Sequence, residues 1–165
     1  MTALYDQSVP FLIRGLTATG KFLKKAEIQT EDKRLDKAVI LGLRLFPDMF
    51  NLLKQVQLVS DFAKGPGARL ASITPPSFAD DEKTFDDLQA RLHKTTDFLK
   101  TLQPADFNAD RDITIKVGGH DTTFKAPVYF NGYALPNFFF HTTTAYNILR
   151  HNGFDLGKAD FMGRG

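Results

Sequence analysis

Asn137 and His141 stand four residues apart in Asn137-Phe-Phe-Phe-His141-Thr-Thr-Thr-Ala-Tyr146, a largely apolar stretch near the C-terminus. Residues at i and i+4 share one face of a helix. Two imidazoles at that spacing would give a transition metal a pair of nitrogen donors. Here the first position is an amide, a weak and hard donor, so His141 is the one good nitrogen ligand of the pair. If their shared face is turned inward, the two residues make a polar spot in an apolar core.

Other groups with chemical potential read more simply as structure. Arg150 and His151 suit the negative end of a helix dipole, and Arg150 is also placed to pair with Asp155 or Asp160 and pin the tail. Asp80-Asp81-Glu82 lacks the alternating spacing and glycine of a calcium loop; acidic residues there complement the start of the helix that follows. Lys21, Lys24 and Lys25 read as the solvated face of a helix. Ser60 has no His or Lys beside it by local spacing, and the chain carries no phosphate loop, dinucleotide fingerprint or Gly-x-Ser-x-Gly elbow.

Composition narrows the classes further. With no cysteine, disulfides, thiolate zinc sites and cysteine nucleophiles are excluded. The 21 basic and 19 acidic residues leave a net charge of only +2 without a basic stripe, so nucleic acid is not an expected partner. No apolar run approaches the roughly 20 residues that span a bilayer, and the start Met-Thr-Ala-Leu-Tyr-Asp lacks the basic and apolar segments of a signal peptide. A cytoplasmic protein without a membrane partner is expected. Sixteen phenylalanines and no tryptophan place phenylalanine at the centre of core packing.

The elements that must position these groups follow from periodicity and punctuation. An amphipathic helix runs from about Leu4 to Ala26; Pro10 either lies in a first turn that Ser8 caps or kinks a longer helix, and residues 25–34 read as a polar connection. Asp36 caps a short helix through Leu43. Pro47-Asp48 opens a second long helix, which ends at Gly65-Pro66-Gly67 or continues brokenly to Leu70. A third carries Phe85, Leu88, Leu92, Leu99 and Leu102. Ile113-Thr-Ile115-Lys-Val117, Gly118-Gly119 and Thr122-Thr-Phe124 spell a β-hairpin. The last helix spans about Pro127 to His151, kinked at Pro136, with Gly153 as its left-handed cap and Phe154 as the hydrophobic partner of that cap. The expected fold is mainly α: a single domain over residues 1–165, an up-and-down four-helix bundle with one short β-hairpin between helices three and four.

The string Ala134-Leu-Pro-Asn137-Phe-Phe-Phe-His141-Thr-Thr-Thr-Ala-Tyr146-Asn-Ile-Leu-Arg150-His151-Asn-Gly153 is followed by Gly157-Lys-Ala-Asp-Phe161. With Leu4-Tyr-Asp-Gln-Ser-Val-Pro10, Pro47-Asp-Met-Phe50 and Gln55-Val-Gln57-Leu-Val-Ser-Asp61, it resembles a bacterial family of unknown function within the DinB/YfiT-like superfamily. The resemblance implies an up-and-down bundle, often dimeric. In that superfamily a divalent metal is commonly held by one His of helix two and a His-x-x-x-His pair of helix four, and it activates a small thiol or other nucleophile in transferase or hydrolase chemistry. Aligned on Gly153, the pair falls on Asn137 and His141, and the helix-two ligand falls on Gln57. Thr142-Thr-Thr144 stands where a polar Arg-Gly-Gln run often follows.

One imidazole and two amides are a poor set for zinc or nickel, so no metal is expected, with His141 as its ligand if one binds. Asp61, four residues from Gln57, and Thr144 are the auxiliary candidates. His141 is then either a core histidine satisfied by Asn137, Thr144 or Gln57, or part of a small polar pocket at the bundle centre. The leading expectation is a bundle with a degenerate metal site that binds a small molecule. The alternative is a divalent-metal-dependent transferase or hydrolase using His141 on a thiol or small electrophilic substrate. Phe138, Phe139 and Phe140 cannot all face one core, which agrees with a homodimer.

Overall fold

The computed structural model describes residues 3–164. In chain order it comprises α1 (Ala3–Asp6), α2 (Val9–Asp32), α3 (Lys37–Gly42), α4 (Leu52–Leu70) and α5 (Phe85–Thr101). A short 3₁₀ turn (Pro104–Asp106) follows, then strands β1 (Asp112–Val117) and β2 (His120–Lys125). α6 (Ala126–Tyr129) runs through a π-helical turn (Phe130–Ala134) into α7 (Leu135–His151), and α8 (Lys158–Phe161) ends the fold. It is a mainly helical protein with one small antiparallel hairpin.

Local chemistry sets most boundaries. Asn51 caps α4 by accepting from the Lys54 amide at 3.0 Å. Thr84 and Asp87 form a reciprocal capping box at the start of α5. Gly118 and Gly119 both take positive φ, at 58° and 87°, and close the hairpin with Val117 opposite His120. That is the geometry a two-residue turn needs to match strand twist.

Three boundaries differ from the sequence expectation. α2 does not stop near Ala26 but continues to Asp32, because the polar residues there have partners: Glu27 is buried and accepts from Lys24 at 2.8 Å and Lys37 at 2.7 Å. Burial raises the Glu27 pKa, but the two lysine hydrogen bonds outweigh it and leave the carboxyl below its usual range. α4 opens at Leu52 rather than Asp48, since Asn51 is the cap and the Leu52 amide is held by the Leu43 carbonyl at 2.8 Å. It then runs unbroken through Gly65-Pro66-Gly67, all three buried.

α4 packs on α7, α5, α2 and α3, and α2 packs on α5 and α7, around one core. Leu12, Leu16 and Phe22 of α2 meet Val56 and Val59 of α4, Leu88, Leu92 and Leu99 of α5, and Phe138, Ile148 and Leu149 of α7 in that core. Close approach depends on small residues. A Cβ at Gly15 would lie 2.5 Å from the Phe138 ring, and one at Gly67 would lie 2.4 Å from Leu99 Cδ2. The tail folds back over α2. Phe154 and Leu156 are buried, Gln29 and Asp155 exchange hydrogen bonds, and Asp160 pairs with Lys25 at 3.2 Å. Arg150 donates to the Phe154 carbonyl at 3.2 Å, so neither aspartate is its partner.

Candidate functional site

His141 projects from α7 into the interface with α4 and is buried. Its Nδ1 lies 2.8 Å from Gln55 Oε1. Gln55 is itself buried, and its Nε2 donates to the Phe50 carbonyl at 3.2 Å. That second bond orients the amide: with Nε2 engaged, Oε1 faces the imidazole and accepts, so Nδ1 carries the proton and Nε2 keeps the lone pair. Burial holds the His141 pKa below its ordinary 6.5, in favour of this neutral form. The ring stacks on Phe62 at 5.3 Å with 23° between planes, and Phe140 meets it edge-on.

The other residues singled out from the sequence lie elsewhere. Asn137 donates to the Tyr133 carbonyl at 2.7 Å and Thr144 to the Phe140 carbonyl at 2.7 Å, each one turn back along its own helical run. Neither supplies the hydrogen bond to His141 Nδ1. Gln57 is buried too, but it faces away from α7 and donates to Glu82 at 2.7 Å. The partner expected at Gln57 is therefore supplied by Gln55. Two residues on a helix differ by about 200° of rotation, so the two glutamines address opposite neighbours.

Asp61 shares the Gln57 face, as its spacing requires, and that face meets α5. Arg91 of α5, almost fully buried, donates to Asp61 and Glu82, each at 2.8 Å, and pairs with Asp80 at 3.0 Å. Lys64 adds a second cation to Asp61 at 2.8 Å. Asp80 and Glu82 are thus counter-ions of Arg91 rather than dipole partners of the next helix. Phe78 lies among Lys64, Arg91 and Lys94, with Lys94 Nζ 4.2 Å from the ring centroid. This network clamps the long segment 71–84 against α4 and α5.

A three-nitrogen metal centre does not fit these residues. One imidazole is present, both aligned amides point elsewhere, and Asp61 is held by two cations. Among the described residues no group of three or more His, Asp or Glu side chains is arranged to hold a metal ion.

Beside His141, on the far side of Phe62, lies a cleft of about 670 Å³. α4 contributes Leu58, Asp61, Phe62, Pro66 and Arg69; Tyr129 and Tyr133 come from α6 and the π turn; the hairpin supplies Thr114, Ile115, Lys116 and Asp121. Its wall is aromatic: Tyr133 stacks with Tyr129 at 6.0 Å and lies 6.2 Å from Phe62. Arg69 Nη1 donates to the Tyr129 hydroxyl at 3.4 Å. Burial raises the Tyr129 pKa despite the nearby guanidinium, so the phenol stays protonated. π turns recur near functional sites, and here the turn displays Tyr133 to the cleft. Two prolines adjoin it. Pro66 has no N–H for the Phe62 carbonyl, and Pro136 has none for Gly132.

Sequence reasoning passed over Gln55, Phe62, Arg69, Tyr129 and Tyr133. A faint signal existed: positions 58, 62, 66 and 69 follow one helix face, and 129 and 133 another. Nothing in the chain linked those two faces to residues 114–121.

These features place the chain among the mainly helical proteins of DinB-like fold. The crystal structure of a DinB family member protein from Shewanella denitrificans is similar to it with a TM-score of 0.90 and 37% sequence identity, over 97% of this chain and 92% of that one. The profile of a family described as a domain of unknown function, DUF1993, matches residues 4–162, and the chain belongs to that family. No curated protein matches it.

Proposed function

We propose that this protein binds a small organic molecule in the cleft between α4, the π turn and the hairpin, and that its superfamily-type metal site is degenerate. The carrying observation is the cleft itself: about 670 Å³, aromatic on one wall, with charged side chains converging on it. Small-molecule pockets commonly span about 300–1,000 Å³, and the cleft lies within that range. The hydrogen bonding of His141, Gln55, Asn137 and Gln57 supports the second half of the reading. Each of these four side chains makes at least one hydrogen bond within the protein.

We read the four long helices as the up-and-down bundle of the superfamily and the protein as cytoplasmic. Self-association is part of the proposal, on the strength of Phe139 and Phe140, 40% and 56% exposed on α7; light scattering in solution tests it.

Two measurements on untagged protein test the function. Metal analysis is expected to find far less than one zinc or nickel per chain; a stoichiometric metal that disappears in His141→Ala would establish the metal-dependent transferase or hydrolase instead. A thermal-shift screen of small organic compounds should raise the melting temperature for ligands of the cleft, since a ligand of the native state stabilises it. Shifts produced only by divalent metals or thiols would count against the proposal.

A further inference from the structure

The charges that line the cleft are not equally compensated. Asp61 is paired with both Arg91 and Lys64 at 2.8 Å. Lys116 and Asp121 pair with each other across the hairpin at 3.0 Å. Arg69 alone has no carboxylate within ion-pair distance among the described residues, and its side chain has one polar contact, the long bond to the neutral Tyr129 hydroxyl. The half-buried guanidinium lines the cleft beside its aromatic wall without a carboxylate partner, so a bound anion would complete its pairing.

The backbone beneath Arg69 leaves room for the guanidinium. The side chain folds back one turn over Gly65, where an added Cβ would sit 2.8 Å from Nη1. Gly67 admits the approach of Leu99, and Gly65 leaves space that the Arg69 guanidinium occupies.

We propose that the ligand is a planar organic anion, a carboxylate carried on an aromatic or conjugated ring, with Arg69 as its counter-ion and Tyr133 and Phe62 as its stacking surfaces. This rests on the small-molecule reading above and specifies its class. Planarity follows from the wall of rings, which favours offset or edge contacts with another ring. A carboxylate matches the fork of one guanidinium in a bidentate pair. A phosphate would bring further negative charge near Asp61 and Asp121, and among the described residues of the lining there is no second unpaired cation to meet it.

The test uses the full chain and four probes, benzoate, benzyl alcohol, benzamidine and inorganic phosphate, followed by the NMR signals of Tyr129, Tyr133 and Phe62. Benzoate is expected to shift these signals and to bind about ten-fold or more tightly than benzyl alcohol, as a charge-assisted pair implies. Benzamidine should leave them in place. Arg69→Gln should erase the preference for benzoate, Arg69→Lys should keep part of it, and Gly65→Ala should weaken it by displacing the guanidinium. The last two variants carry the test if Arg69→Gln does not fold. Lys100→Gln, in an exposed pair with Asp97 outside the cleft, should change benzoate affinity less than about two-fold.

Equal binding of benzyl alcohol or benzamidine overturns the proposal, as does unchanged benzoate affinity in Arg69→Gln. Phosphate acting where benzoate does not overturns the planar carboxylate. If rings without a negative charge bind and benzoate does not, the anion class fails while the small-molecule reading stands. If no probe, and no compound of a wider fragment panel, moves these signals, both fail together.

Discussion

At the scale of single residues, the decisive object is a hydrogen bond chain: Phe50 carbonyl, Gln55 amide, His141 imidazole. It assigns the tautomer of the neutral ring that burial favours, and so leaves Nε2 as the unprotonated nitrogen. Removing the acceptor strands a buried N–H, so Gln55→Leu is expected to cost about 1–3 kcal/mol in denaturant unfolding. Titration gives an independent check. A histidine whose folded pKa lies below its unfolded value binds fewer protons when folded, so unfolding free energy falls as pH drops below the unfolded value of 6.5. The loss begins at higher pH than that of the depressed carboxylates Glu27, Asp80 and Asp160, whose ordinary values lie near 4. Denaturation midpoints at pH 8, 6.5 and 5 should therefore decline on the acid side in the parent protein. His141→Gln should decline less over the same interval. An identical decline in both would rule out a neutral, depressed His141.

At the scale of elements, α4 is the organising helix, and its Gly65-Pro66-Gly67 run shows how packing overrides propensity. Glycine and proline would end most helices of this length. Here the same lack of side chain lets α5 approach and leaves room for Arg69, and the helix is carried through by burial on several sides. Gly67→Ala should destabilise the fold by about 1–2 kcal/mol, because overpacking against Leu99 exceeds the gain in helix propensity. Gly42→Ala should be neutral or slightly stabilising, because a Cβ there meets nothing within 4 Å. Thermal denaturation of the two variants side by side checks the sign; a stabilised Gly67→Ala would mean that α5 can move aside.

At the scale of the whole molecule, the C-terminal tail closes the fold by crossing α2. Lys25 meets Asp160, Gln29 meets Asp155, and Lys33 reaches the Gly153 carbonyl, while Phe154 and Leu156 enter the core. The tail is therefore part of the cooperative unit. Phe154→Ala should cost about 3–5 kcal/mol, with one unfolding transition rather than two; a small cost would show that the tail contributes little to the fold. No helix of the described residues is long and apolar enough to cross a membrane.

Much of this architecture is local and was legible in the chain. Leu88, Leu92 and Leu99 repeat at helical spacing, Ile113 to Phe124 alternates about Gly118-Gly119, and Gly153 with Phe154 marks a helix end; each signal acts within a few residues. Residues 137–153 likewise carry the family resemblance in one stretch. What tertiary structure alone decided is which faces meet. Periodicity states that Gln55 and Gln57 lie on different faces but not which of them turns to α7, because packing of the whole core sets that rotation. The cleft is further removed still, assembled from residues 58–69, 114–121 and 129–133, and the uncompensated charge of Arg69 exists only once every other charge there has found its partner.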